Sequence, residues 1–390
     1  MPLRLPDYPW DSLEPYAATA RSYPGGIVDL SVGSPVDPTP AIIRDSLAAA
    51  TDAHAYPLTV GTPALREAIV SWFARRRGVG DLGIPNVLPT IGSKEFIAGL
   101  ALWLGLGPGD IVVQPRLAYP TYAVGAALVG ATVVSSDDPE EWPEGTRLVW
   151  INSPGNPNGR ILGIDGLKAA VTRARELGAV IVSDECYAEL GWTPDYEGPD
   201  GAHLATPSIL DPRVIDGDRS SVLCVYSLSK QSNLAGYRAG FVAGCSELIA
   251  ELLAVRKHLG TLPPAPIQAA MVTALGDDTH VRAQRERYRD RRSRLAPALE
   301  AAGFAIDDSE GGLYLWASEG TDAWKTVAEL ADLGILVAPG TFYGEDPSHH
   351  VRIAITATDE AIGLAVERLE ALAKQRAGSL ADAASEASAT

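Results

Sequence analysis

Between about residues 87 and 245 the chain alternates short, β-branched apolar runs with helical stretches. VLPTIG precedes SKEFIAGLALWLG, DIVVQP precedes TYAVGAALVG, and RLVWINSP precedes GLKAAVTRARELG. AVIVSDE, SVLCVYSLSK and AGFVAG complete the series. These runs are continuously apolar, so both faces of each strand must be covered. Helices lying between such strands cover both faces of a mostly parallel sheet. The expected class is therefore α/β, and 390 residues are ample for a large core.

The flanks read differently. The first 30 residues are Pro-rich and irregular, leading to a short strand in IVDLSVG. After residue 280 a long basic helix runs to about 302. Strands GGLYLWAS and HVRIAIT follow, with helices TDAWKTVAELADLG and DEAIGLAVERLEALAKQ, as in a smaller α+β unit. The Arg run of the long helix has Glu and Asp interleaved, the usual mark of a solvated face.

Charge and cysteine content exclude several function classes. Thirty-two Lys and Arg against 49 Asp and Glu leave −17, a poor surface for a polyanion or an anionic membrane. The three cysteines form no CxxC or Cys/His cluster, so no metal site is expected. No apolar run is long enough to cross a bilayer and no signal-like start is present, which points to the cytoplasm. Gly78, Gly80 and Gly83 spell GxGxxG, but after a helix rather than a strand, so they read as a loop.

In open α/β sheets, ligands sit beyond the carboxyl ends of the strands. Three of these ends are chemically unusual. NSPGNPNG is too dense in Asn, Pro and Gly for a simple turn. Asp184 and Glu185 follow a run that should be buried, where each carboxylate needs a partner. Read alone, they would also suit a salt bridge or a helix cap. Lys230 ends SVLCVYSLSK among small hydroxyls; read alone, it would be an exposed lysine. Together the three suit pyridoxal phosphate. This cofactor needs a Lys whose pKa can fall from about 10.4, and a carboxylate opposite its ring nitrogen. Asn156 and Tyr187 are the right types for its phenolic oxygen. Ser227, Ser229 and Arg238 suit its phosphate, as do Ser93 and Lys94 at a helix start.

At these residues the sequence resembles the class I/II pyridoxal-phosphate aminotransferases of fold type I. SLSKQSNLAGYRAG carries the resemblance most specifically, and it extends from about Val28 to Leu372. It implies a large domain over 46–284 with a mostly parallel seven-stranded sheet. A smaller α+β domain would come from 1–45 and 285–375; the low-complexity, apolar-poor composition of 376–390 by itself reads as a disordered tail. It implies that Lys230 holds the cofactor as a Schiff base and Asp184 pairs with the ring nitrogen. Asn156 and Tyr187 would bond the phenolic oxygen, and Tyr119 would stack on the ring. Ser93, Lys94, Ser227, Ser229 and Arg238 would hold the phosphate. Tyr56 would reach the phosphate of a neighbouring subunit, so the resemblance also implies a homodimer with shared sites. Arg352 would grip the substrate α-carboxylate, with Asn156 beside it and Gly33 closing over it.

A narrower resemblance, in PDYPWDSLEPY, YPLTVGTPALREAI and LAYPTYAVGA, is to actinobacterial succinyldiaminopimelate aminotransferases. It implies glutamate as amino donor and a place in lysine and diaminopimelate biosynthesis. Two enzyme alternatives stay open within the fold: aspartate or aromatic transamination, and carbon–sulfur β-elimination. An effector-binding module of a transcription regulator is disfavoured by the acidic balance.

Overall fold

The computed structural model describes residues 5–197, 204–344 and 347–388, and for 380–388 the backbone path only. The chain enters through α1 (Glu14–Ser22), β1 (Val28–Asp29), α2 (Ala41–Ala49) and α3 (Pro63–Arg77). The large sheet is laid down by β2 (Val87–Ile91), α4 (Gly92–Trp103), β3 (Ile111–Gln114), α5 (Thr121–Val129) and β4 (Thr132–Ser135). It continues through β5 (Thr146–Asn152), α6 (Ile164–Glu176), β6 (Val180–Asp184), α7 (Pro212–Ile215), β7 (Val222–Ser227) and β8 (Ala239–Gly244). Helices α8 (Ser246–Leu259), α9 (Ala265–Gly276) and α10 (Thr279–Ala301) lead out of it. The last part holds β9 (Ala305–Asp307), β10 (Tyr314–Ser318), α11 (Ala323–Asp332), β11 (Ile335–Leu336) and β12 (Ala338–Pro339). It ends with β13 (His350–Ala354) and α12 (Asp359–Ser388).

Seven strands pair in the order β2-β8-β7-β6-β5-β3-β4. β8 runs antiparallel to both neighbours and every other pairing is parallel. The continuous apolar runs are explained by what lies on each face. Leu148 and Trp150 of β5 pack on one side with Phe96, Leu100 and Tyr122. Val149 and Ile151 pack on the other with Ile69, Trp72 and Val171. The smaller domain carries the antiparallel sheet β12-β13-β10-β9 and the parallel pair β1-β11. Its core joins Leu13, Val28 and Leu30 of the N-terminal part to Leu299, Leu315, Ile353 and Leu369 of the C-terminal part.

Three expectations from sequence change. A boundary at 45/46 cuts through α2, which packs along α9 and sends Ile43 into the large core. The arginines of α10 do not form a solvated face throughout. Arg285 and Arg291 are buried, one donating to the Gly191 carbonyl and Glu197, the other paired with Asp37 and Asp359. Their charges are matched by acids far away in sequence, which local patterning does not reveal. The expected disorder of 376–390 is corrected as far as Ser388, where α12 ends. Arg376 holds the start of that stretch by bonding Glu319, Glu329 and the Ala302 carbonyl. Residues 389 and 390 lie outside the described residues. The GxGxxG stretch is a loop, with Gly78 capping α3. Among the described residues no His/Cys/Asp/Glu cluster suits a metal, and no helix is long and apolar enough to cross a membrane.

Candidate active site

The three unusual strand ends lie side by side. Asn152 ends β5 opposite Asp184, which ends β6, and Asp184 in turn faces Val225 near the end of β7. Beyond these ends opens a cavity of about 480 Å³. Lys230, Asp184, Asn156, Tyr187 and Tyr119 line it, as do Ser93, Lys94, Ser227, Ser229 and Arg238. The smaller domain contributes Gly33 and Arg352, and the segment Leu5 to Trp10 completes the wall. Of the residues expected at a site, Tyr56 alone stays apart: it is 100% exposed and does not line this cavity.

Asp184 receives the Tyr122 hydroxyl at 3.0 Å and the Cys186 backbone N–H at 3.2 Å. Among the described residues no cation pairs with it. Burial pushes its carboxyl above the ordinary range, and the bonds from Cys186 and Tyr122 only partly oppose this. Tyr122 was not foreseen. The signal was available in AYPTY, since Tyr119 and Tyr122 stand three apart at the start of a helix and so share a side.

The Lys230 amine donates to the Gly33 carbonyl. Burial lowers its pKa, because an ammonium is poorly solvated there. Arg352 and Arg238 push the same way, against Tyr314 and Cys186. Tyr119 is pushed up to about 12, chiefly by burial, and keeps its proton at neutral pH.

One corner of the cavity is built for an anion. Gly92 opens α4 at φ 69°, and a Cβ there would fall 2.5 Å from Arg238 Nη2. A side chain at 92 would therefore displace the guanidinium. The first turn of α4 supplies free amides, and Ser227 donates to Ser229 at 2.8 Å beside them. Lys94 stands 5.6 Å over the Tyr8 ring, so its ammonium faces the N-terminal segment.

Arg352 lies in β13, the strand paired with β10. Nη1 donates to Asn156 Oδ1 at 2.9 Å and Nη2 to the Ser31 carbonyl at 2.6 Å. Its Nε is buried with no hydrogen-bond partner. Rings of Tyr314, Tyr343 and Trp10 surround the guanidinium at 3.9, 5.0 and 5.7 Å. Tyr314 and Trp10 were also not foreseen. Register could have indicated Tyr314: Trp316 pairs with Arg352, and Tyr314, two residues earlier, shares its face.

A cation-free buried carboxylate, a lysine with a lowered pKa and an anion corner fit pyridoxal phosphate. Lys230 could hold its aldehyde, Asp184 its ring nitrogen, and the Arg238 corner its phosphate. The sequence model of the family "Aminotransferase class I and II" matches residues 26–369. A probable aminotransferase of Mycobacterium tuberculosis is 54% identical over 366 residues, 94% of this chain and 85% of that protein. The 4-dedimethylamino-4-oxo-anhydrotetracycline transaminase OxyQ of Streptomyces rimosus is also 54% identical, over 94% of this chain and 99% of that protein. The solved N-succinyldiaminopimelate aminotransferase of Mycobacterium tuberculosis superposes with a TM-score of 0.81 at 29% identity. That match covers 92% of this chain and 98% of the other.

Proposed function

The chain belongs to the class I and II aminotransferases, which depend on pyridoxal phosphate, and from that premise we propose how it works and on what. The observation that carries the mechanism is the meeting of Lys230, Asp184 and Arg352 around one cavity. When bound, the cofactor supplies an aldehyde carbon for the amino group and a ring that draws electrons from the substrate α-carbon. Lys230 carries the proton between that α-carbon and the cofactor. Its lowered pKa keeps the amine available as a base. Asp184 keeps the ring nitrogen protonated: the pyridinium is the cation its buried carboxylate lacks. Asn156 and Tyr187 would bond the phenolic oxygen, and Tyr119 would pack on the ring. Ser93, Lys94, Ser227, Ser229 and Arg238 would hold the phosphate. Arg352 grips the α-carboxylate as a planar fork, with Gly33 over it and Asn156 beside it, and so sets the geometry for proton transfer.

The substrate reading is amino transfer from glutamate to N-succinyl-2-amino-6-oxopimelate, in the cytoplasm. The solved relative named for succinyldiaminopimelate supports it. A second reading, a polycyclic ketone acceptor, is favoured by 54% identity to OxyQ and by the aromatic wall of Tyr8, Trp10, Tyr119 and Tyr314. The working unit is a homodimer in which Tyr56 of each chain reaches the other's phosphate corner. Its complete exposure in the single chain supports this.

A coupled assay tests the substrate. Purified enzyme is given 2-oxoglutarate with N-succinyl-LL-diaminopimelate, aspartate or phenylalanine in parallel. A kcat/KM at least tenfold higher with the succinyl compound supports the first reading. Comparable rates with aspartate overturn it. Turnover of a tetracyclic 4-ketone with glutamate, without turnover of the succinyl compound, establishes the second.

A further inference from the structure

Tyr314 lines the cavity, and the mechanism gives it no role. Its ring lies under the Arg352 guanidinium at 3.9 Å. Its hydroxyl meets the Tyr187 hydroxyl at 3.2 Å. It also stands over residue 33, where a Cβ would collide with it, and residue 33 supplies the carbonyl that receives the Lys230 amine. One buried phenol thus links the arginine that grips carboxylates with the two groups nearest the proton chemistry.

Building on the reading of Arg352 as the carboxylate fork, we infer that Tyr314 is a positioning residue coupling carboxylate recognition to the Tyr187 hydroxyl and to the protonation of Lys230. The ring holds Arg352 flat for the incoming carboxylate. The hydroxyl transmits the change in charge that follows.

The electrostatics have the right sign. Burial alone would raise the Tyr314 phenol, but the Arg352 guanidinium and the Lys230 amine outweigh it and hold the phenol below its ordinary range. Tyr187 is the hydroxyl bonded to it. Cys186, beside Tyr187, opposes the lowering. The Tyr314 charge bears in turn on Tyr343, Tyr119 and Tyr288, raising each of them. A carboxylate docked on Arg352 cancels the largest lowering influence, so Tyr314 then holds its proton more firmly. The field at Lys230 and Tyr187 changes as the substrate arrives, without contact between the carboxylate and either group.

Two substitutions separate the ring from the hydroxyl. Tyr314→Phe keeps the stack on Arg352, so KM for glutamate should stay within about twofold while kcat falls roughly tenfold. Tyr314→Leu removes the stack as well, and KM should rise at least tenfold. The second readout is spectroscopic. The pH midpoint of the cofactor's visible band is measured on the loaded protein, with and without saturating propionate. Propionate should shift the wild-type midpoint, and Tyr314→Phe should at least halve that shift. A wild-type midpoint that ignores propionate overturns the coupling with no variant needed. An unchanged kcat and an unchanged propionate response in Tyr314→Phe overturn it also. The underlying reading fails separately, if Arg352→Ala leaves the KM for glutamate unaltered.

Discussion

Asp184 and Glu185 are adjacent carboxylates at the end of one strand, and the protein treats them in opposite ways. Both are buried. Successive side chains of a strand point to opposite faces, so one meets the cavity and the other the packing behind the sheet. Glu185 is fully matched. Arg77 pairs with it at 2.7 Å with both side chains sealed from water, and the Ile209 N–H and Ser208 hydroxyl bond its other oxygen. Asp184 receives the Tyr122 hydroxyl and hydrogen bonds from Cys186 but, among the described residues, no cation, and its carboxyl is raised by burial. The difference separates a structural charge from a functional one. Behind the sheet the chain supplies the cation itself. In the cavity it leaves the carboxylate waiting for a cation brought by the ligand.

The largest expected effect lies on the cavity side. Lys230→Ala should lose roughly 10⁴-fold or more in turnover together with the visible band of the bound cofactor, because the proton carrier and the covalent anchor are one residue. Ordinary turnover in that variant would remove Lys230 from both roles. Next comes the far side of the comparison. Glu185→Gln strands a buried guanidinium and should cost about 3–5 kcal/mol of stability, read as a lower Tm, with kcat for the surviving fold near normal. Asp184→Asn should do the converse, retaining Tm and cofactor while losing about 100-fold or more in rate. If the two variants behaved alike, the contrast between structural and functional carboxylate would collapse. Tyr122→Phe should be milder, about tenfold or less in rate, since Asp184 keeps its bond from Cys186.

The smallest effect concerns Asp277, a carboxylate paired with His280 at 2.7 Å, where His280 also meets the buried Ser232 hydroxyl at 2.8 Å. Burial works to raise its pKa, but hydrogen bonds from His280 and Thr279 bring it down to about 2. A lowered carboxylate adds stability that is present above its ordinary pKa and lost as pH falls through the lowered one. Asp277→Asn should therefore flatten acid unfolding between about pH 4 and 2, by roughly 1 kcal/mol or less given its partial exposure. A thermal-melt series across that window would show it.

Much of the fold was legible because it rests on local periodicity. Apolar strands covered by helices on both faces imply the seven-stranded sheet and place ligands at its carboxyl edge. Asp184 ends a strand, Lys230 and Asn156 lie just beyond one, and Arg238 precedes the antiparallel β8, so their convergence followed from the sheet. The residues that were missed act across the chain: Arg77 on Glu185, Tyr122 on Asp184, Tyr314 on Arg352 and Trp10 beside it. The buried arginines of α10 were misread for the same reason.

The sequence by itself determined the sheet, the edge where chemistry gathers and the residue types that suit a pyridoxal cofactor. These follow from side-chain period and strand termination, properties of neighbouring residues. Only the tertiary structure decided which cation answers Glu185, which hydroxyl answers Asp184, and which aromatic ring supports Arg352. Those outcomes depend on packing between residues far apart in the chain, 62 positions for Tyr122 and Asp184 and 108 for Arg77 and Glu185, whose spacing no local pattern encodes.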